Sequence, residues 1–159
     1  MNFIDYANGS VSLVQIKRLL SFAVGEATNE RVNSILHETY SDSKTVLYVL
    51  ADNDAALGVI GLKRLGDSGE ILHIAVAERK RKQGLGRQMI DCLAKLGNLR
   101  ELVAETDRDG LEFYIHCGLS LRSLGEKYPG LERFQCRLEV KRWETTTPLT
   151  GFELRPPDS

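Results

Sequence analysis

At 159 residues the chain is long enough for one domain with a real core and too short for two ordinary ones. Its 42% hydrophobic and 27% charged residues are those of a soluble globular protein, and a formal net charge of −1 excludes a global field that recruits nucleic acid or an anionic membrane. No apolar run approaches the roughly 18 residues of a membrane span and no secretory signal opens the chain, so a cytoplasmic protein is expected.

Residues 1–7 read as a first strand, turned by Asn8-Gly9. Ser12 and Gln15 have the form of a capping box, and Leu13, Ile16, Leu20 and Ala23 recur on one helical face until Gly25 stops it. A second helix follows, with Thr28 or Asn29 as cap and Val32, Ile35, Leu36, Thr39 and Tyr40 as its stripe. The β-branched and aromatic run 45–51, a turn at Asp52-Asn53-Asp54 and the return 56–65 predict a hairpin, and 70–76 adds a third strand in succession. The pattern then changes. Leu85, Met89, Leu93 and Leu96 predict a helix over 84–96, with Gly97 just past its end. A strand at 101–106, a short helix at 109–117 closed by Gly118 and a strand at 120–125 follow, then a turn at Tyr128-Pro129-Gly130. In 133–141 the apolar Phe134, Cys136, Leu138 and Val140 alternate with Arg133, Gln135, Arg137 and Glu139, as in a half-buried antiparallel strand. The Thr- and Pro-bearing tail, 143–159, offers little to bury and is expected to be poorly ordered.

The order β-α-α-β-β-β-α-β-α-β-β has a strand–helix–strand crossover in its middle. That predicts parallel pairing at the centre and antiparallel hairpins at the flanks. The expected fold is a single α/β mixed (α+β) domain over 1–142, with one mixed sheet of about six to seven strands and helices on both faces. The cysteines Cys92, Cys117 and Cys136 are odd in number and set among apolar neighbours, so they read as reduced core thiols. His37, His73 and His116 show no metal-ligand spacing, and no metal is expected.

The informative stretch runs from Ile74 to Arg87. A strand ends at Val76, a basic loop follows, and Gly84 and Gly86 bracket the first turn of a helix. The first amides of a helix lack internal partners and carry the positive end of its dipole. Glycines there let N–H groups close on a phosphate without a Cβ in the way. Arg79, Lys80, Arg81, Lys82 and Arg87 supply countercharge, so the site reads as built for a pyrophosphate. It is not a Walker A loop, because Gly86-Arg87-Gln88 offers no hydroxyl for magnesium. It is not a dinucleotide fingerprint either, because Met89 stands where the third glycine belongs.

Arg81-Lys-Gln-Gly84-Leu-Gly86 resembles the [Arg/Gln]-x-x-Gly-x-[Gly/Ala] signature of the GNAT N-acetyltransferases, and its place after two helices and three antiparallel strands matches theirs. Phe113-Tyr114 ahead of Gly118-Leu119 resembles the family's later helix. The likeness spans roughly 1–140. It implies an enzyme that binds acetyl-CoA as co-substrate and passes its acetyl group to a primary amine by direct attack on the thioester. It further implies that Ile74, Val76, Arg81, Lys82, Gln83, Gly84, Leu85, Gly86, Arg87, Asp107 and Tyr114 contact the cofactor. Many members carry asparagine at the position of Asp107, whose carboxylate cannot donate the same bond.

The resemblance also assigns three roles. The Ile74 amide would donate to the thioester oxygen, Tyr114 would be the acid for the departing thiolate, and Glu70 would be the base. His73, three residues after Glu70, is the alternative base; it would face the other side of a regular strand, and a bulge would reverse that. The family likeness leaves room for a homodimer, to which Trp143 and the tail would contribute. Two rival readings remain open: transfer of a longer acyl group, and a catalytically weak acyl-CoA-binding module or sensor. No nucleic acid or membrane partner is expected.

Overall fold

The computed structural model describes residues 1–9 and 11–140, and the backbone of a short strand at 153–154. Elements follow the expected order. They are β1 (Asn2–Asp5), α1 (Leu13–Phe22), α2 (Asn29–Ser34), β2 (Thr45–Asp52), β3 (Ala55–Leu65), β4 (Ser68–Val76), α3 (Leu85–Leu96), β5 (Glu101–Thr106), α4 (Arg108–His116), β6 (Ser120–Tyr128), β7 (Leu131–Glu139) and β8 (Glu153–Leu154). One sheet takes all eight strands in the order β6-β7-β5-β4-β3-β2-β1-β8. β4 and β5 pair in parallel at its centre, flanked by antiparallel pairs, and β8 adds a parallel edge to β1. The expectation of a poorly ordered tail otherwise lies outside the described residues.

Two cores form, one on each face. Met89, Ile90 and Leu93 of α3, with Tyr114 and Cys117 from α4 and its end, pack against Leu50, Ile60, Leu62, Ile71, Leu102 and Cys136. On the other face Ile16, Leu19 and Leu20 of α1, Val32 of α2, Leu36 and Tyr40 cover Leu47, Val49, Val59 and Ala75. This second core takes nothing from β5, β6 or β7, so among the described residues the second face of those three strands carries no helix. Among the described residues no helix is long and apolar enough to cross a membrane.

Several local expectations are corrected. Ser12 caps α1 through Gln15 N–H, but the Gln15 side chain does not reach back to close the box. It bonds instead to the Asp54 carbonyl at 3.1 Å and the Ala56 amide at 2.8 Å, fastening α1 to the β2–β3 turn. Leu13 is 49% exposed, and Leu19 takes the buried place. Thr28 is the cap of α2, accepting from Arg31 N–H. The stripe 32–40 is not one α-helix: α2 widens into a π-turn at Ile35–Thr39, with Tyr40 N–H bonded to the Ile35 carbonyl at 3.3 Å. The extra residue in that turn rotates Tyr40 away from a regular stripe and beneath the sheet. β6 runs to Tyr128, three residues beyond its expected end.

Candidate active site

β4 and β5 pair only from Ser68–Ile71 against Glu101–Ala104. Beyond that point β4 stays with β3 as far as Val76, while β5 continues with β7. The sheet therefore splits at its centre. A bulge marks the split: Gly61 and Leu62 are successive on β3 but pair with His73 and Ile71, leaving Leu72 extra on β4. Such a residue bends its strand and raises the local twist, which turns the end of β4 away from β5.

The backbone of β4 beyond the bulge faces two ways. Ala77 N–H donates to the Leu57 carbonyl at 2.8 Å. Antiparallel bonding alternates, so Ala75 and His73 also bond to β3, opposite Val59 and Gly61. The N–H and C=O groups of Ile74 and Val76 then point into the gap. The Val76 carbonyl accepts there from Arg81 Nε at 3.1 Å.

The loop after β4 ends at the N-terminus of α3. Lys82 (φ 62°) and Gly84 (φ 80°) both take left-handed backbone conformations, which tighten the chain around the helix start. No side chain caps α3, and its first internal bond is from Gln88 N–H to the Gly84 carbonyl. The amides of Leu85, Gly86 and Arg87 therefore have no helical partner. Arg79, Lys82 and Arg87 are exposed around them. The Arg81 guanidinium reaches the other way and lies 5.0 Å from the ring centre of Phe22, tying the loop to α1. A cleft of about 670 Å³ opens beside that contact, lined by Arg18, Leu19 and Phe22 of α1 and by Ala77, Glu78 and Arg79.

Gly86 has a second reason to be glycine. A Cβ there would lie 2.6 Å from the Phe113 ring, so the bare backbone seats α4 against the first turn of α3. Tyr114, next along α4, is buried edge-on to Phe113. Burial pushes its phenol up to about 12, helped by Cys136 and Cys117, so it holds its proton at neutral pH. Asp107 is occupied in another way than expected: Oδ1 accepts from the Asp109 and Gly110 amides and caps α4.

Glu70 is half-buried before the bulge, opposite Lys63 on β3. Its neighbour Ile71 enters the α3 core, so Glu70 faces the α1–α2 side. The structure thus brings Ile74, Val76 and the loop 81–87 together at the gap, places Tyr114 on the α3–α4 side, and holds Glu70 apart. His73 also faces the α1–α2 side, because the bulge reverses it, and its Nδ1 lies 2.5 Å from Tyr40 Oη. Tyr40 is the residue that sequence reasoning passed over. The available signal was Gly61 within a strand, which marks close approach of another group. No three of His, Cys, Asp and Glu gather as a metal site among the described residues.

A split parallel pair with unpartnered amides leads here to an open helix N-terminus. Residues 43–118 match the family model of the acetyltransferase (GNAT) domain. Over those residues, just under half of the chain, the sequence matches a GNAT-family acetyltransferase domain. Similar solved structures include a GNAT-family acetyltransferase of Desulfovibrio desulfuricans, 21% identical, covering 87% of this chain and 98% of its own with a TM-score of 0.68. A GNAT-family acetyltransferase of Elizabethkingia anophelis with acetyl-CoA bound is 21% identical over 87% of this chain and 97% of its own, with a TM-score of 0.61. An aminoglycoside 6'-N-acetyltransferase complexed with coenzyme A is 16% identical over 91% of this chain and 100% of its own, with a TM-score of 0.66. The family match leaves out β1, α1, α2, β6, β7 and β8.

Proposed function

We propose that the protein transfers an acetyl group from acetyl-CoA to a primary amine. The observation that carries this reading is the alignment of the β4–β5 gap, edged by free amides, with the uncapped N-terminus of α3. An extended arm bearing amides fits the first and a pyrophosphate fits the second. Similar proteins crystallised with acetyl-CoA or coenzyme A, one of them named for an aminoglycoside amine, support the reading.

Acetyl-CoA supplies the acetyl group as a thioester. Lys82, Gln83, Gly84, Leu85, Gly86 and Arg87 hold the pyrophosphate through loop amides and exposed charge. The arm takes the place of the strand partner that Ile74 and Val76 lack, and the Ile74 N–H donates to the thioester oxygen. Arg81 must release the Val76 carbonyl for the arm to bond there. Asp107 contributes by fixing the start of α4, and through it Tyr114. Tyr114, protonated at neutral pH, supplies the proton to the leaving sulfur.

The acceptor approaches from the α1–α2 side, where Glu70 faces. Only about one amine in a thousand is neutral at pH 7, so a proton must be removed. Glu70 stands four residues before Ile74, roughly 13 Å along a regular strand, and therefore receives that proton through ordered water.

Calorimetry with two ligands tests the cofactor assignment. Coenzyme A should bind ~10–100-fold more tightly than pantetheine, which lacks the pyrophosphate, and the advantage should shrink with salt. Equal affinity for the two would contradict the pyrophosphate site.

A further inference from the structure

Tyr40 and His73 form a buried pair beside the gap for which packing alone gives no reason. Three irregularities are needed to make it. The π-turn at Ile35–Thr39 rotates Tyr40 beneath the sheet. Gly61 leaves the space, since a Cβ there would collide with Tyr40 Oη. The Leu72 bulge brings His73 onto the same side as Glu70. Their product is a hydrogen bond of 2.5 Å between Tyr40 Oη and His73 Nδ1, with the rings 5.7 Å apart and tilted by 60°. Tyr40 is 7% exposed, whereas the His73 ring is only half-buried. Among the described residues nothing bonds to Nε2, and it is not sealed from solvent. His73 is also the residue immediately before Ile74, whose amide faces the gap.

We propose that His73, held by Tyr40, is the first acceptor of the proton from the incoming ammonium. This rests on the acetyl-transfer reading and adds to it a catalytic residue and a positioning residue. This role requires the tautomer in which Nδ1–H donates to Tyr40 Oη, which leaves the Nε2 lone pair free to accept. The ammonium gives one proton to Nε2 and becomes a free amine. As the new C–N bond forms and the C–S bond breaks, the nitrogen loses its second proton and the sulfur gains one through the Tyr114 hydroxyl. The imidazolium passes the first proton by water to Glu70 and solvent. The sum is ammonium plus thioester giving amide, thiol and one released proton.

Burial holds the His73 ring below its ordinary value, so it is neutral and able to accept at pH 7. The groups around it leave that assignment undisturbed. α1 turns the apolar Ile16, Leu19 and Leu20 toward the sheet, the π-turn offers Tyr40, and β3 offers Lys63 opposite Glu70. Across the gap, Glu105 is engaged by Lys127 and Arg133.

The test is the pH dependence of kcat/KM for acetyl-CoA with an amine that the wild type turns over. His73→Gln should lower kcat/KM at pH 7 by ~10²–10⁴-fold, abolish the acidic limb and recover as pH approaches the pKa of the free amine. Coenzyme A affinity should be unchanged. Tyr40→Phe, which keeps the ring, should give a smaller loss in kcat with a displaced limb, and it carries the test if His73→Gln fails to fold. Glu70→Gln should slow turnover while keeping the limb. A wild-type limb in His73→Gln, or in Tyr40→Phe if only that variant folds, overturns the assignment. So does a limb lost only in Glu70→Gln. If the wild type turns over no amine, the acetyl-transfer reading itself falls.

Discussion

Tyr114 and Gly86 show how one short helix serves two purposes at the residue scale. Tyr114→Phe removes a hydroxyl and almost no volume. The expected result is a kcat lowered ~10–100-fold with little change in KM for acetyl-CoA, measured where chemistry limits the rate. An unchanged kcat would return the phenol to the core. Gly86 was legible from its motif, but the motif named only the approach of a phosphate. The structure adds Phe113, whose ring fills the space of the missing Cβ. Gly86→Val should therefore weaken coenzyme A binding and also cost about 1–3 kcal/mol of stability through overpacking. Thermal melts read the second effect; a variant that melts with the wild type would show that α4 adjusts freely. Asp107 was legible only as a departure from a motif, and its bonds from the Asp109 and Gly110 amides give it a role as the cap of α4.

At the scale of elements, chain order was readable and irregularity was not. Apolar spacing and turn residues located the strands and helices from β1 to β7 in order, because each buries one face against a neighbour, while β8 was not foreseen. The π-turn escaped because Ile35, Leu36, Thr39 and Tyr40 keep helical spacing whether or not one turn is widened. The Leu72 bulge could be raised only as the condition that would turn His73 round, because register is a property of two strands and is not written in 70–76 alone. Both irregularities converge on Tyr40 and His73, so this part of the site was the least visible beforehand. Gly61→Ala tests the convergence from the β3 side. The added methyl should displace Tyr40, lower stability by about 1–3 kcal/mol and reduce kcat, with coenzyme A affinity retained. Normal turnover in this variant would show that Tyr40 need not sit where it does.

For the molecule as a whole, the two cores act as clamps on either side of a sheet that is split at its centre. α1 and α2 grip β2, β3 and β4, while α3 and α4 span both halves and hold the split at a fixed width. Among the described residues the other face of β5, β7 and β6 carries ion pairs instead of a helix, including Arg137 with Glu101 and Arg133 with Glu105. Acid should loosen this arrangement. Lys127 and Arg133 hold Glu105 below the usual carboxylate range, so its contribution is present above that range and fades as pH falls through its folded value. His73, also lowered, acts in the same sense, because below about pH 6.5 the unfolded chain takes up a proton that the folded ring resists. His73 is the group that acts between pH 7 and pH 5, so urea midpoints should fall over that range and fall less in His73→Gln. The loss through Glu105 follows only as pH drops into the carboxylate range. Equal slopes in the two proteins would contradict the burial of a neutral ring.

The central claim is that the split sheet transfers an acetyl group rather than merely holding its carrier. Release of the coenzyme A thiol, followed continuously with acetyl-CoA and a panel of primary amines, tests this most directly. The account predicts release that rises with amine concentration and saturates for at least one amine, at a rate well above the buffer reaction. Release no faster than buffer across small amines, polyamines, aminoglycosides, amino acids and peptide termini, in a protein shown to bind coenzyme A, would contradict it.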